Sequence, residues 1–154
     1  MTSPDTETSS PSRVSVTPAM EDALRHIYRL ARDGDGWVSN AAVADRLGVT
    51  RATVTSTFDA LAARGLVDRE KHRPVRLTDE GRDAALDVVR RHRLTETLLV
   101  ELFGYELSEV DAEADRLEHH ISERLCREIE RTLGTPETDP HGDPSPDANL
   151  AVPW

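Results

Sequence analysis

Apolar residues recur at intervals of three and four along most of the chain between residues 17 and 133. This spacing predicts a mainly helical protein. Thr17 followed by Pro18 is an N-cap residue with proline at the first helical position, so the first helix begins there and ends near Gly34. Two shorter helices are expected to follow, at residues 41–47 and 51–64.

The two short helices have the spacing of a helix-turn-helix. Ala44 is small enough for the helices to cross there, Gly48 suits the left-handed turn between them, and Val54 would fill the space that they enclose. Two β-prone segments, 66–70 and 75–78, then flank a polar turn and predict a β-hairpin. A helix, a helix-turn-helix and a hairpin in this order are typical of a winged-helix domain, which we place at residues 17–81.

The second half of the chain predicts two longer helices. The first spans 82–103, and Ser108 would cap a second that continues to Leu133, because apolar residues follow at intervals of three or four throughout. Such a long apolar face packs either within the chain or against a second copy. We expect a helical dimerisation domain at 82–134, and a two-fold dimer would suit a symmetric operator.

The charge of the chain is strongly acidic, with a formal net value of −10, and its basic residues are 18 Arg and a single Lys. Such a composition is typical of proteins from salt-loving microbes, and we expect a haloarchaeal source. An acidic chain normally disfavours nucleic acid, because phosphate contacts require positive charge. Residues 39–81, however, carry seven basic and six acidic residues, a net charge of +1.

The termini and the lone cysteine narrow the class of protein further. Residues 1–16 and 135–154 are rich in polar residues and proline, and we expect a disordered N-terminal segment and a flexible tail. No signal peptide and no apolar run long enough to span a membrane is present, which predicts a cytoplasmic protein with no membrane partner. Cys126 alone excludes a disulfide framework within the chain.

The third helix and the wing carry the candidate contacts to double-stranded DNA. The N-terminal half of that helix would enter the major groove, and the hairpin would reach phosphates. The predicted base-contacting residues are Arg51, Ala52, Thr55 and Ser56, and the predicted wing contacts are Lys71, His72 and Arg73.

The candidate metal ligands lie on the two helices of the second half. Asp115, Glu118 and His119 stand on one helix face, and His92 and Glu96 are one turn apart on the preceding helix. Imidazoles with carboxylates suit a divalent ion such as Mn, Fe, Co, Ni or Zn, although a charged helix face is also a common solvated surface. No HExxH, nucleophilic triad or phosphate loop is present, so we expect no enzyme.

Several of these segments together resemble one known family. They are MEDALRHIYRL, VTRATVTSTFDALAARGLV, EKHRPVRLTDEG, RRHRLTETLL and EADRLEHHIS, in unbroken order from about residue 20 to residue 134. The chain resembles the diphtheria toxin repressor and manganese transport regulator family, in its shorter, two-domain type. The resemblance implies a mainly α fold, in which a winged helix-turn-helix with a β-hairpin wing precedes an α-helical dimerisation and metal-binding domain.

The resemblance also implies a metal-dependent repressor of metal-uptake genes. Its ion would be Mn²⁺ or Fe²⁺, with a lean towards Mn²⁺, and would bridge the two domains. The chain would act as a homodimer on a pseudo-palindromic DNA operator. The implied metal ligands are Asp22, His92, Glu96, Asp115, Glu118 and His119.

Some positions depart from one or both branches of that family. Asp115 stands where manganese regulators carry Glu and iron regulators carry Cys. Asp22 resembles the manganese branch and Arg25 the iron branch, and Asp111 occupies the position of an ancillary histidine. Three other functions stay open at this point, namely a winged-helix regulator that senses a non-metal ligand, a small metalloenzyme and a metal buffer.

Overall fold

The computed structural model describes residues 15–70, 73–134 and 136–146. Within these residues the protein consists of six helices and one two-stranded antiparallel sheet. The elements are α1 (Pro18–Arg32), α2 (Asn40–Leu47), α3 (Arg51–Ala63), β1 (Val67–Arg69), β2 (Val75–Leu77), α4 (Asp79–Phe103), α5 (Leu107–Leu117) and α6 (Glu123–Leu133).

The N-terminal half is the predicted winged helix, and local sequence signals begin its helices. The side chains of Thr17, Ser39 and Thr50 accept hydrogen bonds from the backbone N–H three residues further on, and so cap α1, α2 and α3. Gly48 has a φ of 66°, in the left-handed region, where it turns the chain from α2 into α3. The mainly α fold and the helix-turn-helix are therefore confirmed.

The wing is a hairpin of β1 and β2, with Val67 opposite Leu77 and Arg69 opposite Val75. Val38 adds an isolated bridge to Val75, and so ties the segment before α2 to the wing. One apolar core lies beneath these elements, where α1 packs against α2, α3 and the start of α4. Its fully buried side chains include Leu24, Ile27, Val43, Val54, Phe58, Leu61 and Val75.

The C-terminal half differs from the prediction at its helix boundaries. α4 begins at Asp79, because Thr78 caps it, and so starts three residues before the predicted position. The single helix predicted from Ser108 to Leu133 is wrong, because residues 118–122 interrupt it and Ser122 caps α6 anew. Apolar residues keep their helical spacing across the interruption, so periodicity alone does not reveal it.

The described part of the predicted flexible tail, residues 136–146, packs against the helical domain. Thr138 forms a bridge with Pro144, and Asp139 is 5% exposed. The Asp139 carboxylate accepts the backbone N–H groups of His141 and Asp143, which closes a turn. The predicted disorder of residues 1–16 falls almost entirely outside the described residues, as do Lys71 and His72.

Cys126 lies in the small second core of the C-terminal half, with Leu94 and Ile129. Burial raises the pKa of its thiol to about 11. We expect fewer than about a tenth of the native protein molecules to react with a thiol-specific disulfide reagent at pH 8. The raised pKa leaves little of the reactive thiolate, and burial shields it from the reagent. The reaction should become complete after unfolding in denaturant. Rapid labelling of the native chain would contradict this burial.

No helix among the residues that the structure describes is long and apolar enough to cross a membrane.

Candidate metal centre

Carboxylates and imidazoles meet where α1, α4 and α5 pack together. They form three neighbouring groups, in each of which one ligand atom per residue lies within 4.8 Å of the others. We name them the first, second and third group. The first group is Asp22, Glu118 and His119; the second is His92, Asp111 and Asp115; the third is Glu96, Asp139 and His141.

The first group joins the winged helix to the helical domain. Asp22 projects from α1, and its Oδ1 lies 2.9 Å from His119 Nε2. Glu118, at the C-cap of α5, is fully buried, and its Oε1 lies 3.6 Å from the same imidazole nitrogen. Burial raises the pKa of the Asp22 carboxyl, and the electrostatic interaction with the neighbouring His119 opposes that shift. The group thus combines two carboxylates and one imidazole at the domain junction.

The second group surrounds His92 on α4. Its Nε2 lies 3.1 Å from Asp111 Oδ1, and its Nδ1 lies 3.3 Å from Asp115 Oδ1. Burial disfavours a charged His92, but hydrogen bonds to Asp111 and Glu118 outweigh burial and raise the pKa of His92 to about 10. The hydrogen bond from His92 lowers the pKa of Asp111 to about 2. Glu118 Oε2 lies 2.7 Å from His92 Nδ1, so the first and second groups share an edge.

The third group joins α4 to the packed segment 136–146. Glu96 is 1% exposed, and its Oε1 lies 3.5 Å from His141 Nδ1. The other ring nitrogen of His141 lies 3.1 Å from the carbonyl oxygen of Leu107, a hydrogen bond that raises the pKa of His141. Asp139 also lies 3.6 Å from the Arg93 guanidinium. The segment that was predicted to be flexible therefore supplies two potential ligands.

Three buried atoms in these groups lack a hydrogen-bond partner among the described residues. They are Glu118 Oε1, Glu96 Oε2 and His119 Nδ1. A buried acceptor without a donor is costly, because it has lost its hydration without replacement. A divalent cation in the first group and another in the third would each give the unbonded carboxylate oxygen of that group, Glu118 Oε1 or Glu96 Oε2, a positive partner. The donor set therefore fits a metal ion.

The six predicted ligands all lie at this junction, but they do not form one set. Glu96 belongs to the third group, although its Oε1 also lies 3.3 Å from His92 Nε2, and Asp115 joins the second group rather than the first. The sequence analysis gave no metal role to Asp139 or His141, because helical spacing carries no information about a turn. Their Asp-Pro-His-Gly sequence is the only local signal for this turn. Whether each residue binds metal stays a prediction.

Some candidate DNA-contacting residues have exposed side chains, and others contact a neighbouring side chain. Arg51, Ala52 and Ser56 are exposed on α3. Thr55 is half-buried, and its hydroxyl accepts a hydrogen bond of 2.7 Å from the Asn40 side-chain amide. Arg73 is exposed in the wing, where its Nε lies 3.3 Å from a Glu70 carboxylate oxygen. Lys71 and His72 are outside the described residues.

Comparison with known families identifies the family to which this chain belongs. The sequence model described as "Iron dependent repressor, N-terminal DNA binding domain" matches residues 15–75. A second, "Iron dependent repressor, metal binding and dimerisation domain", matches residues 78–147. The chain belongs to the iron-dependent repressor family.

Curated relatives within the iron-dependent repressor family support this membership. The iron-dependent repressor IdeR of Mycobacterium bovis is 40% identical over 123 residues, which cover 80% of this chain and 53% of the relative. The diphtheria toxin repressor of Corynebacterium diphtheriae is 35% identical, over 80% of this chain and 54% of the relative. The chain thus spans about half the length of the curated relatives that it matches.

Solved structures of iron-dependent repressor relatives share the fold. A manganese-dependent transcriptional repressor in complex with manganese has a TM-score of 0.82 and 45% identity, over 88% of this chain and 62% of that one. The manganese regulator SloR has a TM-score of 0.79 and 30% identity, over 90% of this chain and 65% of that one.

Proposed function

We propose that this chain is a metal-dependent, DNA-binding transcriptional repressor that Mn²⁺ or Fe²⁺ activates. Its targets would be genes for metal uptake. The observation that carries the proposal is the buried Glu118 Oε1, which accepts no hydrogen bond and lies 3.6 Å from His119 Nε2, the nitrogen that also faces Asp22. These side chains come from both matched regions of a repressor family, so an ion held by them would connect DNA binding to metal supply. Family membership also favours a transcription regulator over an enzyme.

The donor atoms support a lean towards Mn²⁺. The three groups consist of carboxylates and imidazoles, and none of their described members is a Cys. Oxygen-rich sets suit Mn²⁺, whereas sulfur favours softer ions. The named relatives include both iron-dependent and manganese-dependent repressors, so either ion is consistent with the family.

The position of Asp22 supports a switch between the two domains. Asp22 is on α1, whose other face packs against the helix-turn-helix, and its partners Glu118 and His119 follow α5. A bound ion would supply positive charge that offsets the repulsion between the Asp22 and Glu118 carboxylates. These residues would then hold α1 against the helical domain, and so fix the orientation of α3 relative to a partner copy.

The exposed residues of α3 support contact with DNA in the major groove. Arg51 can donate two hydrogen bonds to guanine, and the Ala52 methyl group suits contact with a thymine methyl. Ser56 would approach a base edge, and so would Thr55, whose hydroxyl is hydrogen-bonded to the Asn40 side chain. Lys71, His72 and Arg73 would approach phosphates from the wing. Two copies with recognition helices about 34 Å apart would bind a pseudo-palindromic operator.

The proposed dimer surface is an exposed apolar patch where α4 ends and α5 begins. Leu102, Phe103 and Leu107 are 54%, 66% and 49% exposed, and they lie within the matched dimerisation domain. A second copy would remove this apolar area from water.

Phe103→Glu is therefore expected to convert a dimer to a monomer, because the new carboxylate would be buried against the partner. Light scattering after size-exclusion chromatography measures the mass. Trp37→Glu changes a side chain that is 47% exposed in the other domain, and should leave the dimer intact. A Phe103→Glu dimer at micromolar concentration would place the interface elsewhere.

The decisive experiment for the proposed function is a fluorescence-anisotropy titration of promoter fragments in buffer rich in KCl. The protein is titrated first with chelator and then with Mn²⁺ or Fe²⁺ under anaerobic conditions. We expect at least about a hundredfold tighter binding with metal, because the ion would preorganise the domains. Equal binding with chelator would indicate a regulator of another kind. Absence of binding in every condition would reject DNA recognition.

A further inference from the structure

Arg25 is a buried cation between the first and second groups. It projects from α1, one turn after Asp22, and is 3% exposed. Its Nη2 donates a hydrogen bond of 2.7 Å to Asp115 Oδ1, and its Nη1 lies 3.3 Å from His92 Nδ1. A guanidinium stays protonated at any pH at which the protein is folded, so this positive charge is permanent.

Arg25 contacts the second group more closely than the first. Its two shortest contacts go to Asp115 and His92, which are both members of the second group. In the first group it reaches only Glu118 Oε1, at 3.6 Å through Nε, which is too long for a hydrogen bond. Neither Asp22 nor His119 is hydrogen-bonded to Arg25. An ion could therefore enter the first group without breaking a hydrogen bond of Arg25.

Binding of an ion to the second group is opposed by Arg25. Asp115 Oδ1 accepts a hydrogen bond from the guanidinium, and a divalent ion would be held a few ångströms from this positive charge in a buried site. Both the lost hydrogen bond and the charge repulsion oppose binding there. The guanidinium would have to move from Asp115 Oδ1 before that oxygen could coordinate an ion beside His92.

We propose that Arg25 is an internal cation that competes with metal for the second group, so that the two groups fill in order. The first group loads at low metal concentration with Arg25 in place, and the second loads only when Arg25 is displaced. In the metal-free chain the same guanidinium offsets the repulsion between Asp115 and Glu118. This inference rests on the proposed metal binding at these groups.

The test compares Mn²⁺ binding by the wild-type chain, Arg25→Gln and Arg25→Lys, each measured by competition with a fluorescent chelator and by metal analysis after gel filtration. In Arg25→Gln we expect the second ion to bind at least about tenfold more tightly, because a neutral amide cannot repel it. Arg25→Lys keeps the charge but loses the planar fork, so its gain should be smaller. The dissociation constant of the first ion should change by less than about threefold.

The matched control is Arg29→Gln, which removes the same charge one turn further along α1. Arg29 is half-buried and lies in none of the three groups, but its charge acts on Asp111 at longer range, so its loss should tighten binding of the second ion by less than about threefold, well below the gain in Arg25→Gln. Asp111→Asn in the Arg25→Gln background should remove the gained affinity, because Asp111 belongs only to the second group.

A second readout needs no metal: in chelator, Arg25→Gln should unfold at a lower temperature than Arg29→Gln.

Three results would overturn the inference while the proposed function stands. They are unchanged second-ion affinity in Arg25→Gln and Arg25→Lys, a gain equalled by Arg29→Gln, or a gain that survives Asp111→Asn. If Arg25→Gln fails to fold, the comparison of Arg25→Lys with the wild-type chain decides the matter. Absence of Mn²⁺ binding by all variants and by the wild-type chain would instead reject the proposed function.

Discussion

Asp22→Ala is expected to abolish metal-dependent operator binding while the chain stays folded and dimeric. Asp22 is the member of the first group that comes from the winged helix, and its Oδ1 lies 2.9 Å from His119 Nε2. Its side chain is 35% exposed, so its removal leaves no cavity in the core. The ligands on the helical domain would remain, but they would no longer be joined to α1. We expect operator affinity in Mn²⁺ to fall by at least about a hundredfold, towards its value in chelator.

The measurement is the same anisotropy titration, accompanied by circular dichroism and light scattering. Asp33→Ala is the matched control, because Asp33 is an exposed aspartate at the C-cap of α1 and belongs to none of the three groups. It should keep the wild-type response to metal. If Asp22→Ala retained that response, the ion would not act by bridging the domains, and the second and third groups would have to carry the switch without α1.

Gly81→Ala is expected to destabilise the fold by about 3 kcal/mol or more. Gly81 is buried in the first turn of α4, where this helix crosses the backbone of Leu66. A Cβ at position 81 would lie 1.7 Å from the carbonyl oxygen of Leu66, a distance that the backbone cannot accommodate without moving. That carbonyl also accepts the N–H of Thr78, so the start of α4 would have to separate from the segment between α3 and β1.

Urea unfolding in KCl buffer, followed by circular dichroism, measures this loss. Gly34→Ala is the control, because its added Cβ would lie 3.7 Å from the nearest atom, the Leu30 carbonyl oxygen, which is an ordinary contact. Its stability should change by less than about 1 kcal/mol. Because α4 also carries His92 and Glu96, a folded Gly81→Ala chain should bind metal more weakly. Equal stability of both variants would show that α4 can shift freely against β1.

The helix-turn-helix was predictable because its signals are local. Thr17, Ser39 and Thr50 each cap the helix that follows them, through a side chain and a backbone N–H three residues apart. Gly48 adopts the left-handed conformation that the turn requires. Such interactions depend on residues close in the chain, and the sequence therefore specifies them whatever the rest of the fold does.

The organisation of the metal centre was predictable only in part. The helical spacing of Asp115 with Glu118 and His119, and of His92 with Glu96, indicated ligands on two helices. Spacing gave no warning that α5 would end at Leu117, since the apolar stripe continues through Ile121 without a change of period. The break places Glu118 at a helix end, where it can reach both His92 and His119.

The sequence by itself thus determined the class of fold, the capped helices, the hairpin, the acidic surface and the residue types of the metal centre. Only the tertiary structure decided how those residues are grouped: Arg25 between two groups, Asp111 beside His92, and residues 136–146 against Glu96. The reason is physical. Caps, turns and amphipathic faces follow from neighbours in the chain, whereas contacts between α1, α4, α5 and the last segment join residues up to 90 positions apart. Their geometry depends on how the helices pack.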